Sequence, residues 1–222
     1  MAPTRYRRTK RESARFTIQS MRLLVFSDIH NDWTALRRLL TIEADHYIAA
    51  GDLVKWNRGL DEAGAILRER AAHMHVLPGN HEHATDIARL CDKFGLHPLH
   101  GTTFESEGWQ IAGLGHSNPT PFNTPGEETE AELATHLDKF AELKPLILIC
   151  HCPPLNTALD EAAPGRHFGS SAVKEFIDQY QPAHFCCGHI HEAAGRETLI
   201  GRTKGVNVGK QGYLLEVPSY SS

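Results

Sequence analysis

Five short segments of this 222-residue chain set nitrogen and oxygen donors where an apolar run stops. They are Asp28-Ile29-His30 after LLVFS, Gly51-Asp52 after YIAA, Gly79-Asn80-His81-Glu82 after HVLP, His151 after LILIC, and Gly188-His189-Ile190-His191 after FCC. Imidazole nitrogen mixed with carboxylate and carboxamide oxygen suits Mn, Fe, Zn, Co or Ni, whereas Ca and Mg favour oxygen alone. Two neighbouring ions need a shared carboxylate, and Asp52, in the middle of the set, is the natural bridge. Near-period-two spacing in Asp28/His30 and His189/His191 lets each pair emerge on one side of an extended segment.

Singly, each segment has a plainer explanation. Asp28 and Asp52 suit helix caps or turns, Asn80 beside Gly79 suits a left-handed turn, and a lone His151 at a strand end suits a structural hydrogen bond. Five strand ends sharing donor chemistry have no common packing explanation. The cysteines Cys150 and Cys152 flank His151, but alternation sends them away from it, and Cys186-Cys187 read as small buried hydrophobes.

The elements that must position these donors are strands interleaved with helices. Strand-like runs lie at 23–27, 46–50, 75–77, 111–114, 146–150, 184–187 and 213–217. Helical patterns lie at 33–42, capped by Asn31 or Asp32, and at 60–71, 85–94, 127–143 and 171–180. This order indicates α/β layers, with antiparallel hairpins around 102–114 and 199–217. In open α/β sheets ligands bind beyond the carboxyl ends of strands, so all five segments can face one crevice. One long Pro/Asn/Thr loop, SNPTPFNTPGEE at 117–128, interrupts the pattern, and Phe122 within it could offer a stacking surface to a base.

Composition narrows the class. Hydrophobic residues make up 41%, enough for a substantial core, and residues 21–222 read as one domain. The first twenty residues carry +5 and read as a disordered basic extension; the overall charge is −4, leaving about −9 for the rest. An acidic body disfavours nucleic acid as a partner, because nonspecific affinity comes from clustered Lys and Arg. Five cysteines without CxxC spacing fit a reducing cytoplasm. No apolar run reaches the length of a membrane helix. Of the 15 histidines, His73, His75, His83, His97, His100, His116, His136, His167 and His184 share no spacing and read as surface or satisfied core residues, with His116 the one to watch.

The ordered set D-x-H, G-D, G-N-H-[DE], H and G-H-x-H resembles the calcineurin-like metallophosphoesterase superfamily over residues 21 to about 217. Around Gly113-Leu114-Gly115 and the loop from Ser117, it is similar to the Icc-related predicted phosphoesterases. The resemblance implies a four-layer α/β/β/α sandwich with mixed sheets. It implies one ion held by Asp28, His30, Asp52 and His191 and a second by Asp52, Asn80, His151 and His189. Mn is expected first among the transition metals, with water activated on the ions attacking a small phosphodiester or phosphomonoester, such as a nucleotide. His81 would contact the phosphate beside Asn80 and protonate the leaving oxygen. A nuclease and a non-catalytic interaction module of the same fold are the competing expectations. Two departures stand out: Asn31 replaces the glycine that often follows D-x-H, and Lys55 stands where protein phosphatases carry the Asp that orients the motif histidine. The phosphate-gripping Arg of that branch is also out of register, with Arg58 nearby.

Overall fold

A computed structural model describes residues 20–220. The expected disordered extension at 1–20 therefore lies outside the described residues except for Ser20, which opens the first strand.

The first sheet contains β1 (Ser20–Phe26), β2 (His46–Ala50), β3 (Met74–Leu77), β4 (His97–Pro98) and β13 (Tyr213–Pro218), in the order β13-β1-β2-β3-β4. The pairs β1/β2, β2/β3 and β3/β4 are parallel, and β13 closes on β1 antiparallel. A second sheet contains β5 (Thr102–Ser106), β6 (Trp109–Leu114), β7 (Leu146–Cys150), β10 (His184–Cys187), β11 (Glu197–Ile200) and β12 (Thr203–Asn207), in the order β11-β12-β10-β7-β6-β5. Its centre is parallel and both edges are antiparallel. A short ribbon, β8 (Glu161–Ala163) with β9 (Arg166–His167), stands apart.

Continuous apolar strands are needed because both faces of each sheet are covered. In β1, Leu24 and Phe26 join one core cluster while Leu23 and Val25 join another. In β7, Ile147 and Ile149 share that second cluster, and Leu148 and Cys150 join a third. The alternating side chains thus define a sandwich: the second cluster lies between the sheets, and the outer two lie under helices. Helices α1 (Trp33–Leu40), α2 (Leu60–Leu67) and α3 (Ala84–Phe94) cover the first sheet, while α4 (Glu130–Leu137) and α5 (Ser171–Tyr180) cover the second. The expected α/β/β/α layering is observed.

In α1 the spacing of Leu36, Leu39 and Leu40 makes the buried stripe, and Asp32 caps the helix by accepting the Ala35 N–H at 3.0 Å. Replacing fully buried Leu39 by Ala would cost about 2–5 kcal/mol.

Most boundaries shift by a residue or more, and three differences are larger. The helix expected over 127–143 runs from Glu130 to Leu137, because Thr129 and Glu132 form a capping box that fixes its start. The one expected over 60–71 stops at Leu67 and tightens into a 3-10 turn from Arg68 to His73. The 199–217 region is not one hairpin: β11 and β12 pair in the second sheet, whereas β13 crosses to β1 in the first.

Candidate metal centre

The structure brings all seven candidate donors to one place, at the carboxyl ends of strands from both sheets. Asp52 Oδ2 lies 3.6 Å from His30 Nε2 and 3.6 Å from His151 Nε2. On one side of it, His30 Nε2 is 3.0 Å from His191 Nε2, and His191 Nε2 is 3.5 Å from Asp28 Oδ1. On the other side, Asn80 Oδ1 is 3.1 Å from His151 Nε2 and 2.9 Å from His189 Nδ1. Asp52 is thus central in space as it is in sequence.

The donor directions suit a cation. The Ala50 carbonyl can only accept, so His151 Nδ1, 2.9 Å away, donates to it, and Nε2 faces the centre, where its lone pair can serve a cation in place of a proton. That lone pair meets Asn80 Oδ1 and Asp52 Oδ2, which are themselves acceptors. Separations near 3.0–3.6 Å are those of donors each about 2.0–2.2 Å from a shared transition-metal ion. His30 Nδ1 is buried with no protein partner.

Electrostatics agree. Burial alone would raise both carboxyl groups, yet Asp28 is held below its ordinary value by the His191 hydrogen bond and the His151 charge. Asp52 is lowered by His151 and then His30, against the same burial. Reciprocally, burial pushes His151 down, but Asp52 and Asp28 together raise it to about 9. His189, half-buried and facing His151, is lowered to about 4, first by desolvation, and stays a neutral lone-pair donor. The carboxylates therefore draw positive charge to the pocket, a proton on His151 where no cation competes for its Nε2, while His189 keeps its lone pair free.

Close approach and unusual backbone create this geometry. A Cβ on Gly79 would lie 2.0 Å from Asp52 Oδ1, and one on Gly188 would lie 2.1 Å from Ser27 Oγ and 2.5 Å from Asp28 Oδ2. Asp28, His30, Asp52 and His189 all have positive φ, at 58, 47, 53 and 69°. Left-handed backbone outside glycine costs of order 1–3 kcal/mol per residue and clusters at functional sites. Asn31, with φ of 66°, takes over the conformational role of a glycine and adds bonds: its Oδ1 accepts the Lys55 N–H and its Nδ2 donates to the Arg58 carbonyl.

Glu82, the last residue of the third motif, has a role that sequence reasoning missed. It is fully buried and its carboxylate accepts three backbone N–H groups, from Asp52, Val54 and Gly79, at 2.7–3.0 Å. Burial and the neighbouring Asp52 push its pKa up to about 8, and the backbone donors oppose that rise. The effect is to staple the Gly51-Asp52 and Gly79-Asn80 loops together.

His81 stands at the edge of the centre, its ring 5.0 Å from that of His30, and its own N–H donates to Asp52 Oδ1 at 2.9 Å. Lys55 does not orient it. The backbone N–H of Trp56 donates to His81 Nδ1 at 3.2 Å, leaving Nε2 to carry the ring proton. The tight Lys55–Arg58 turn, with Trp56 and Asn57 both at positive φ, presents that N–H. The Arg58 side chain is exposed and outside the cleft wall.

A cleft of about 1320 Å³ opens above the donors. Residues 118–122 of the Pro/Asn/Thr loop form part of its wall, with Phe122 70% exposed. Phe168, 50% exposed, and Lys55 also line it.

The cysteines are all buried and unpaired, and burial raises the Cys150 and Cys187 thiols well above their ordinary value. His116 pairs with Glu128 at 2.7 Å, beside His100 and His136. His100 Nδ1 accepts the Gly115 N–H at 3.0 Å, so its proton sits on Nε2 and no lone pair is offered there. Among the described residues no helix is long and apolar enough to cross a membrane.

Known proteins place this geometry. A protein of Methanocaldococcus jannaschii, the uncharacterized protein MJ1162, is 32% identical over 207 residues, spanning 89% of this chain and 92% of its own. The crystal structure of TT1561 of Thermus thermophilus matches with a TM-score of 0.70 at 17% identity, covering 91% of this chain and 100% of that one. The phosphopantetheinyl hydrolase of Mycobacterium tuberculosis matches at 0.60 and 15% identity, over 84% of this chain and 88% of its own. A dimetal phosphatase of Danio rerio matches at 0.52 and 11% identity, over 84% and 86%. These structures share the fold. The calcineurin-like phosphoesterase family model matches residues 21–193, spanning every donor described above, and the chain belongs to that family of metal-dependent phosphoric ester hydrolases.

Proposed function

We propose that this chain uses two divalent transition-metal ions, Mn foremost, to hydrolyse a small phosphomonoester or phosphodiester carrying a planar group such as a nucleotide base. The observation that carries this reading is the convergence of seven donors about one shared carboxylate, Asp52. Asp28, His30, Asp52 and His191 would hold one ion, and Asp52, Asn80, His151 and His189 the other. When bound, such ions neutralise phosphoryl oxygens and make water a nucleophile at neutral pH.

The chain's own residues supply the rest. Asn80 and His81 form the floor on which the phosphate rests. His81 accepts the Trp56 N–H on Nδ1 and so presents its Nε2–H to the cleft, where it donates a hydrogen bond to the leaving oxygen as negative charge develops there. Lys55 adds positive charge at the cleft wall, and Phe122 offers a face for an aromatic leaving group.

The test is metal analysis combined with a Mn-supplemented screen of nucleotides, phosphosugars and a bis-aryl phosphate. Near-stoichiometric metal and turnover that Asp52→Asn abolishes are expected. A protein with neither metal nor turnover would be a scaffold, and the proposal would fall.

A further inference from the structure

Asn80 presents a problem that aspartate or histidine does not. Its carboxamide has an acceptor end and a donor end of nearly equal size, and only the oxygen can face a cation. Something must choose, and the choice is made by the loop at 117–128.

Glu127 is the fixed point, because a carboxylate can only accept. Its Oε1 lies 2.6 Å from Thr124 Oγ1 and 2.7 Å from the Thr124 N. It also takes the Thr120 hydroxyl at 2.5 Å, and its Oε2 takes the Thr120 N–H at 3.1 Å. These donors hold Glu127 in its ionised form, below its ordinary pKa despite burial. The single proton of the Thr124 hydroxyl is thereby committed to Glu127, so the same oxygen is left to accept. The group placed to donate to it is Asn80 Nδ2, at 3.0 Å. Asn80 Oδ1 must then point the other way, toward His151 Nε2 and His189 Nδ1. Thr124 is 7% exposed, so water is poorly placed to substitute for it. The loop is also clamped to the motif backbone, the Gly126 N–H donating to the Asn80 carbonyl at 2.8 Å.

We propose that Thr124 and Glu127 are positioning residues: they polarise one hydrogen-bond chain that turns the Asn80 oxygen toward the second ion and so set that ion's affinity. This rests on Asn80 being a ligand of that ion. The loop that walls the substrate cleft would then also govern metal occupancy, since Thr120, held by the same carboxylate, accepts the Phe122 N–H at 3.1 Å.

The experiment is Mn²⁺ titration of full-length wild type, Thr124→Val, Thr124→Ser and Glu127→Gln by calorimetry, with bound metal counted after dialysis and folding checked by thermal melting. Wild type should bind two ions. Thr124→Val, similar in shape but unable to accept a hydrogen bond, should keep one and bind the other about 10- to 100-fold more weakly, the usual penalty for losing a ligand's outer partner. Thr124→Ser should restore wild-type binding. Glu127→Gln, which no longer dictates the direction of the Thr124 proton, should fall between and serves as the reading if Thr124→Val fails to fold. Wild-type affinities for both ions in Thr124→Val, or in Glu127→Gln where it is the reading, would overturn this inference alone; no Mn²⁺ binding by wild type would overturn the metal reading beneath it.

Discussion

Histidines gather at the carboxyl ends of strands from both sheets and at the amino ends of the first, and the two gatherings keep different company. At the carboxyl ends, His30, His151 and His191 each set a ring nitrogen within 3.6 Å of a carboxylate oxygen. At the amino ends, His46, His73, His75 and His97 lie ring against ring, 5.1–6.1 Å apart, with His75 stacked on Phe104 at 3.9 Å. Their bonded partners are the Ser106 hydroxyl and the Ala72 carbonyl. Burial disfavours the charged ring at both ends. Asp52 and Asp28 reverse the outcome at His151, raised to about 9, whereas His75, with no carboxylate to offset its burial and its histidine neighbours, drops to about 3. An abundance of histidine is therefore no sign of a metal site; carboxylate oxygens set beside its ring nitrogens, converging on one point, are.

Removing the shared carboxylate should break the contrast most severely. Asp52→Asn keeps shape but loses charge, and kcat/KM should fall by about 10⁴-fold or more with loss of bound Mn, since the ions contribute several kcal/mol to charge stabilisation. Metal content measured beside turnover checks it; a fully active, metal-loaded variant would show that Asp52 is not the bridge.

Glu82→Ala attacks the staple beneath the donors. Three buried backbone N–H groups would lose their acceptor, and stability should fall by about 3–5 kcal/mol, read as a lowered urea midpoint. A midpoint unchanged from wild type would mean that water takes over the role.

His81→Ala should leave both ions in place while slowing turnover by about 10²- to 10⁴-fold, most for substrates with poor leaving groups. Equal loss across leaving groups would remove the contact to the leaving oxygen and leave only phosphate contact.

The amino-terminal stack yields the smallest and most selective effect. His75 is depressed to about 3, first by burial and then by His46, His97 and His73. Its folded pKa lies below the unfolded 6.5, so the unfolded chain binds more protons between those values. Its contribution is complete above about pH 6.5 and is lost as pH falls toward 3, on the order of 2 kcal/mol by pH 5. His75→Phe, which can keep the stack on Phe104, should lose stability less steeply between pH 7 and 5 in urea melts. Parallel pH dependence in both proteins would refute this account.

Much of the centre is legible in the sequence because its chemistry is local: a donor after an apolar run, a glycine beside it. Leu146–Cys150 and His184–Cys187 are predicted to the residue, since burial on both faces leaves apolar letters at every position but the half-buried His184. The rest depends on contacts between distant segments. Nothing near His81 announces that a backbone N–H at Trp56 will orient it, because a main-chain donor carries no letter of its own. The helical pattern over 127–143 overruns the helix at both ends, as Glu127 suits a helix by propensity but is spent on Thr120 and Thr124. The return of β13 to β1 is likewise hidden, because an alternating strand does not name its neighbour.

The left-handed backbone at Asp28, His30, Asp52 and His189 acts as a filter on inheritance. Among amino acids other than glycine, Asn, Asp and His enter that conformation with least strain, and they are also good holders of cations. A descendant that abandoned catalysis would still be pressed to spell these positions with the same few letters, for reasons of shape. Survival of the motif is thus weaker testimony to a working enzyme than the aim of its side chains.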